Sequence, residues 1–137
     1  MTITAPWLHY LGLPWQWNAD PDRDGGTDCF RLVLAVLALH DAPRPERIHR
    51  QWYVAAGRGY WDEVLDELEL GTYRVKGGCN LDIAQLDGGA PIALGICVAG
   101  GLLTCSREEG VHWRPIDPAN VLRWCRFYPT PSLQGQP

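Results

Sequence analysis

The stretch CFRLVLAVLAL, residues 29 to 39, constrains this chain more than any other, because it is apolar on nearly every face of the helix it predicts. Such a helix needs protein on all sides, so it is expected at the centre of the fold. The residues ahead of it are Gly25, Gly26, Thr27 and Asp28. Thr27 or Asp28 supplies a short oxygen to accept the unpaired amides of the first turn, and Cys29 follows as the first helical residue. The run between Arg31 and His40 is far shorter than the ~18 apolar residues that a bilayer span requires.

With 137 residues, 46% hydrophobic and 20% charged, the chain has material for one core. Seven Trp and five Tyr stand against two Phe, so large pockets or a partner surface must take the indoles. Twelve Lys and Arg against sixteen Asp and Glu give a net charge of −4 with the cations scattered, which argues against nucleic-acid binding. The first residues lack a basic segment followed by an apolar one, so no secretory signal is expected. Five cysteines, at 29, 79, 97, 105 and 125, are an odd number with no pair at zinc-ligand spacing, so neither a disulfide framework nor a metal or other cofactor is expected.

Along the chain, residues 1 to 24 form an arm with Trp7, Trp15, Trp17 and three prolines, ending in the acidic turn DPDRDGG. A second helix start falls at DAPRPERIHRQW, with Pro45 and Glu46 suited to a first turn. A third helix is expected in YWDEVLDELEL, where Trp61, Val64, Leu65 and Leu68 share one face and Gly71 ends it. From there the pattern changes to five short strand-like runs at 81–86, 92–98, 102–106, 110–115 and 121–127, separated by turn formers. Helices first and a meandering antiparallel sheet second define an α+β plan, with one domain over 1–127 and a Pro-rich tail over 128–137.

The words GLPWQWN (12–18), TDCFRLV (27–33) and ALGICVAGGLLTCS (93–106) stand in an order similar to that of the NlpC-type, papain-like cell-wall cysteine peptidases, and the chain looks closest to the small forms found among phage tail genes. The resemblance implies a buried Cys-bearing helix packed on an antiparallel sheet of about five strands. It also implies Cys29 as nucleophile, because a helix N-terminus favours a thiolate and a neighbouring imidazole completes the ion pair. Where that family has its histidine this chain has Ala93, and the next polar position falls on Thr104 or Cys105. A base contributes ~10²–10⁴ to such a reaction, so the resemblance implies a degenerate site. His112, in the strand after LLTCS, is the remaining candidate base, and Asp28 is either an orienting carboxylate or a helix cap. His40 lies about 16 Å along the helix from Cys29, too far to serve.

The resulting expectation is a structural component of a phage tail or baseplate, assembled in the host cytoplasm and located in the virion, whose partners are other tail proteins. Trp7, Trp15 and Trp17 are then interface anchors or the lining of a groove. Two alternatives are an active endopeptidase of peptidoglycan using Cys29, and a wall-binding module without turnover.

Overall fold

The computed structural model describes residues 5–45, 68, 71–87 and 93–129. It is α+β, with one α-helix among the described residues, α1 (Cys29–Leu39), and one sheet. The strands are β1 (Thr72–Arg74), β2 (Ile83–Leu86), β3 (Ala93–Val98), β4 (Gly101–Ser106), β5 (Gly110–Pro115) and β6 (Val121–Phe127), ordered β1-β6-β2-β3-β4-β5 with every pairing antiparallel. The sheet therefore has six strands rather than five. The additional one is β1, whose three residues are too few for alternation to show. The second and third expected helices fall outside the described residues, except that Leu68 is buried in the core.

Strands β2 to β5 form a meander that local turn chemistry permits. Between β3 and β4 the chain reverses over Ala99 and Gly100, both at positive φ (51° and 75°), the geometry whose twist matches a two-residue hairpin. Gly101 follows, and a Cβ there would lie 2.3 Å from the Trp113 ring, whose indole nitrogen donates to the Val98 carbonyl at 2.9 Å. Glycine at 101 thus lets Trp113 close over the hairpin. β6 then returns between β1 and β2, with a register shift at Gln85/Leu86.

Alternation sorts the sheet into two faces. One face meets α1 through Ile83, Leu94, Ile96, Val98, Leu103, Cys105, Val111, Cys125 and Phe127, which form the main core with Phe30, Leu32, Val33, Val36 and Leu37 of the helix. Burying each large apolar side chain contributes roughly 1.5–3 kcal/mol, so this layer dominates the stability. Ala84, Leu86, Cys97 and Leu102 make a smaller cluster on the other face, bordered by Ala93, Ile116, Val121 and Trp124. Gly77, at φ 97°, packs against Trp124 so closely that a Cβ would lie 2.2 Å from the ring. The helix is not enclosed all round as its composition predicts: Leu34 and Ala35 are half-buried, and Leu39 is 40% exposed.

The N-terminal arm covers part of the free edge of β5. Gly12 donates to the Val111 carbonyl (2.9 Å), and Val111 donates to the Leu13 carbonyl (2.8 Å). The arm then runs beside Thr27 as a short parallel bridge, Trp15 to Thr27.

Candidate functional site

The head of α1 is built around Asp28, which is the N-cap and 3% exposed. Its Oδ1 accepts from the Arg31 amide at 2.8 Å, and its Oδ2 accepts from the Asn18 amide at 2.7 Å. One carboxylate thereby satisfies the helix start and pins the aromatic arm to it. Thr27 is wholly buried, and its carbonyl accepts from the Gln16 amide (2.9 Å) and from the Cys105 thiol (3.3 Å). Thr27 and Asp28 of the TDC word both serve this joint, and Asp28 is a cap, as the simpler of its two expected roles has it.

Cys29 is a half-buried residue facing this joint. Burial of the thiol, followed by the charge of Asp28, pushes its pKa up to about 12. The amides of Leu94, Cys29 and Phe30 work the other way, since N–H groups aimed at sulfur favour the thiolate. The balance goes to desolvation and the carboxylate, so the helix N-terminus does not activate this cysteine. Cys105, from β4, is pushed up to about 12 as well, by burial first and by the proximity of Cys29 and Asp28 second. Two thiols held protonated therefore share the site.

The pleat revises the residues expected opposite Cys29. Ala93 pairs with Leu86 and packs on the far face of the sheet. The residue of β3 that faces α1 is Leu94, fully buried, and its side chain has no proton to exchange. Matching sequence words placed the position one residue early, because a one-residue offset along a strand exchanges faces. Thr104 alternates with Cys105 and so belongs to the face away from Cys29, where its hydroxyl donates to the Leu94 carbonyl at 2.7 Å. His112 pairs with Thr104 and shares that far face. Its Nδ1 lies 2.9 Å from the Gly110 carbonyl and 3.8 Å from Glu109. It cannot act as base for Cys29, because the sheet lies between them. Of the other described histidines, His9 sits 3.5 Å from Asp22 and His40 caps the far end of α1. Cys105 is the neighbour that sequence reasoning underweighted. Its alternation with Thr104 in LLTCS was the available signal, and the face it takes depends on the sheet's placement against α1.

The three indoles of the arm have separate fates. Trp7 is buried in the main core, so it is not available as an interface anchor. Trp15 is half-buried, with the Arg107 guanidinium 4.6 Å above its ring centroid. Trp17 is 43% exposed and tilted against Trp15 at 6.2 Å between centroids. The acidic turn that follows is tied internally: Asp22 donates its amide to Asp20, Asp20 donates its amide to Asp24, and the Tyr10 hydroxyl donates to Asp22. Among the described residues no group of three His, Cys, Asp or Glu side chains is arranged to hold a metal ion.

Compared with family models, with curated proteins and with solved structures, the chain matches none. No helix among the described residues is long and apolar enough to cross a membrane.

Proposed function

We propose that this chain is a non-catalytic structural component of a phage tail or baseplate, using a degenerate NlpC-type, papain-like peptidase fold as a building block. The observation that carries the loss of catalysis is the surroundings of Cys29: a thiol pushed up to about 12, next to Leu94 and a second protonated thiol, with every described histidine held elsewhere. The tail assignment is supported by the order of GLPWQWN, TDCFRLV and ALGICVAGGLLTCS along the chain. An exposed Trp17 and a half-exposed Trp15 are consistent with a protein that meets neighbours, since tryptophan is enriched where interfaces concentrate their binding energy.

Two measurements test the reading together. Purified virions are probed for the protein by mass spectrometry, and the purified chain is incubated with murein. Stable incorporation without turnover is expected. Protein found free in lysates and missing from particles rejects the structural role. Release of murein fragments that disappears in Cys29→Ser restores the endopeptidase. Sedimentation with peptidoglycan that is lost in Trp15→Ala, without turnover, identifies a wall-binding module instead.

A further inference from the structure

Cys79 and Cys97 are the two thiols that belong neither to the core beneath α1 nor to the site at its head. Cys97 is 1% exposed, in the small cluster on the far face of the sheet, whereas Cys79 is exposed in the turn that leads into β2.

The backbone folds that turn back over Cys97. The Asp82 amide donates to the Cys79 carbonyl at 3.0 Å, and the Cys79 amide donates to Asp82 Oδ2 at 2.9 Å. A four-residue turn of this kind holds its end Cα atoms within about 7 Å of each other. Asp82 in turn lies opposite Cys97, one step beyond the Ile83–Ile96 pair. The Cys97 amide donates to the Asp82 carbonyl at 2.8 Å, and the Leu81 amide donates to the Cys97 carbonyl at 2.7 Å. Two residues, Leu81 and Asp82, therefore face the single residue Cys97, as in a β-bulge. Leu81 takes φ 72° there, a left-handed conformation that strains a leucine, and Gly77 and Gly78 ahead of the turn are left-handed as well, at 97° and 84°. The chain is bent against its local preference, and the bend carries an exposed thiol to a buried one.

The charges record the same closeness. Burial first, then Asp82 and Cys79, hold the Cys97 thiol above its ordinary range. Arg126 fastens the turn from the β6 side, donating to Asp82 Oδ1 at 2.6 Å and to the Asn80 carbonyl at 3.0 Å.

We propose that Cys79 and Cys97 are a redox pair that closes to a disulfide in the presence of a hydroperoxide and staples residues 75–82 to β3. The Cys79 sulfur, which solvent reaches, attacks the outer oxygen of the peroxide. The O–O bond breaks, water or an alcohol leaves, and Cys79 becomes a sulfenic acid. The Cys97 sulfur then attacks the Cys79 sulfur, the S–O bond breaks, and the departing hydroxide takes the Cys97 proton and leaves as water. Two thiols have given two electrons and two protons to the peroxide. The pair is independent of the tail assignment, since it uses neither Cys29 nor the aromatic arm.

In the test, the full chain is treated with hydrogen peroxide under native conditions, remaining thiols are blocked in denaturant, and the chain is digested at its aspartates, which separates residue 79 from residue 97. The expected result is loss of two of the five thiols, with residues 79 and 97 recovered in one linked species that dithiothreitol releases. The urea midpoint of the oxidised chain rises above that of the reduced chain, because the crosslink restricts the unfolded state. Cys79→Ser, at an exposed position, leaves the fold intact, and the other thiols and the urea midpoint then no longer respond to peroxide. Cys97→Ala accumulates at Cys79 a sulfenic acid that dimedone traps and that the unaltered chain resolves. Near-ultraviolet circular dichroism checks that each variant is folded.

Cys79 carried to a sulfinic acid while Cys97 stays free overturns the proposal, as does a disulfide joining two chains through Cys79. Linkage of Cys29 to Cys105 in place of the proposed pair overturns it too. So does a chain that keeps all its thiols at a peroxide concentration that oxidises free cysteine, or a 79–97 disulfide that leaves the urea midpoint where it was.

Discussion

Cys29 is expected to react with thiol reagents far more slowly than its place on a first helical turn suggests. At pH 7 an ordinary thiol of pKa about 8.5 is roughly 3% thiolate. With the pKa pushed up to about 12, the reactive fraction of Cys29 is about 10⁻⁵, some three orders of magnitude lower. A more basic thiolate is a better nucleophile, and a Brønsted slope of ~0.4–0.5 returns between one and two of those orders. Near neutrality the net expectation is labelling about a hundredfold slower than an unperturbed thiol, before any further delay from enclosure. Cys79, which is exposed in the same chain, is an internal reference. The assay is a time course with iodoacetamide between pH 6 and 10, quenched, digested and read peptide by peptide in the mass spectrometer. The Cys29 rate should still be rising tenfold per pH unit at the top of that range. A plateau below pH 8, or a Cys29 rate equal to that of Cys79, refutes the balance of burial and Asp28 charge over the helix terminus and reopens catalysis.

Four other outcomes follow from the same geometry. Asp28→Asn keeps a capping oxygen for the Arg31 amide but turns an NH2 group toward the Asn18 amide and removes the charge, so it should cost about 1–2 kcal/mol in denaturant unfolding while quickening Cys29 labelling. In alkali, Cys29 and Cys105 bind their protons more tightly folded than unfolded. The stability they contribute is therefore complete below the unfolded pKa near 9 and is lost as pH rises towards 12. Cys29→Ala with Cys105→Ala should flatten the stability profile in that window, where each thiol contributes a slope of up to about 1.4 kcal/mol per pH unit. Gly77→Ala, placed at φ 97° against Trp124, should lower the stability by about 1–3 kcal/mol in thermal or urea unfolding. Arg126→Met strands the buried Asp82 carboxylate, which the guanidinium meets at 2.6 Å, and is expected to cost at least about 2 kcal/mol, with Asp82→Asn in the same background recovering part of the loss.

The strands from β2 to β6 were legible because each falls on a run of five to seven apolar or alternating residues bounded by turn formers, and the reversal over Ala99 and Gly100 falls on the AGG break that the sequence places there. β1 was not legible, since TYR has no period and becomes a strand only by lying beside Cys125, Arg126 and Phe127, more than fifty residues later. The apolar helix was read correctly in extent. Its enclosure was overstated, because composition does not say which stripe the sheet takes. The head of α1 shows the sharpest division. The capping carboxylate is a local property and follows from the residue order. The protonation of Cys29 depends on what lies over the sulfur, and Leu94 and Cys105 arrive there from strands about seventy residues away. Ala93 was mistaken for the facing position because a match of words carries no information about pleat.

The place of β6 in the sheet has a consequence for synthesis. This strand lies between β1 and β2, so neither of its neighbours acquires that hydrogen-bonding partner until Phe127 has been made. During translation the β2–β5 meander can pair locally, while Thr72–Arg74 and one side of Ile83–Leu86 wait with their backbone groups solvated. Closure is a late, long-loop event, of the kind that slows folding and leaves a nascent chain open to wrong partners. A ribosome stalled before codon 121 would hold a hairpin stack missing its clasp, which an added peptide spanning 121–127 should be able to fasten in trans.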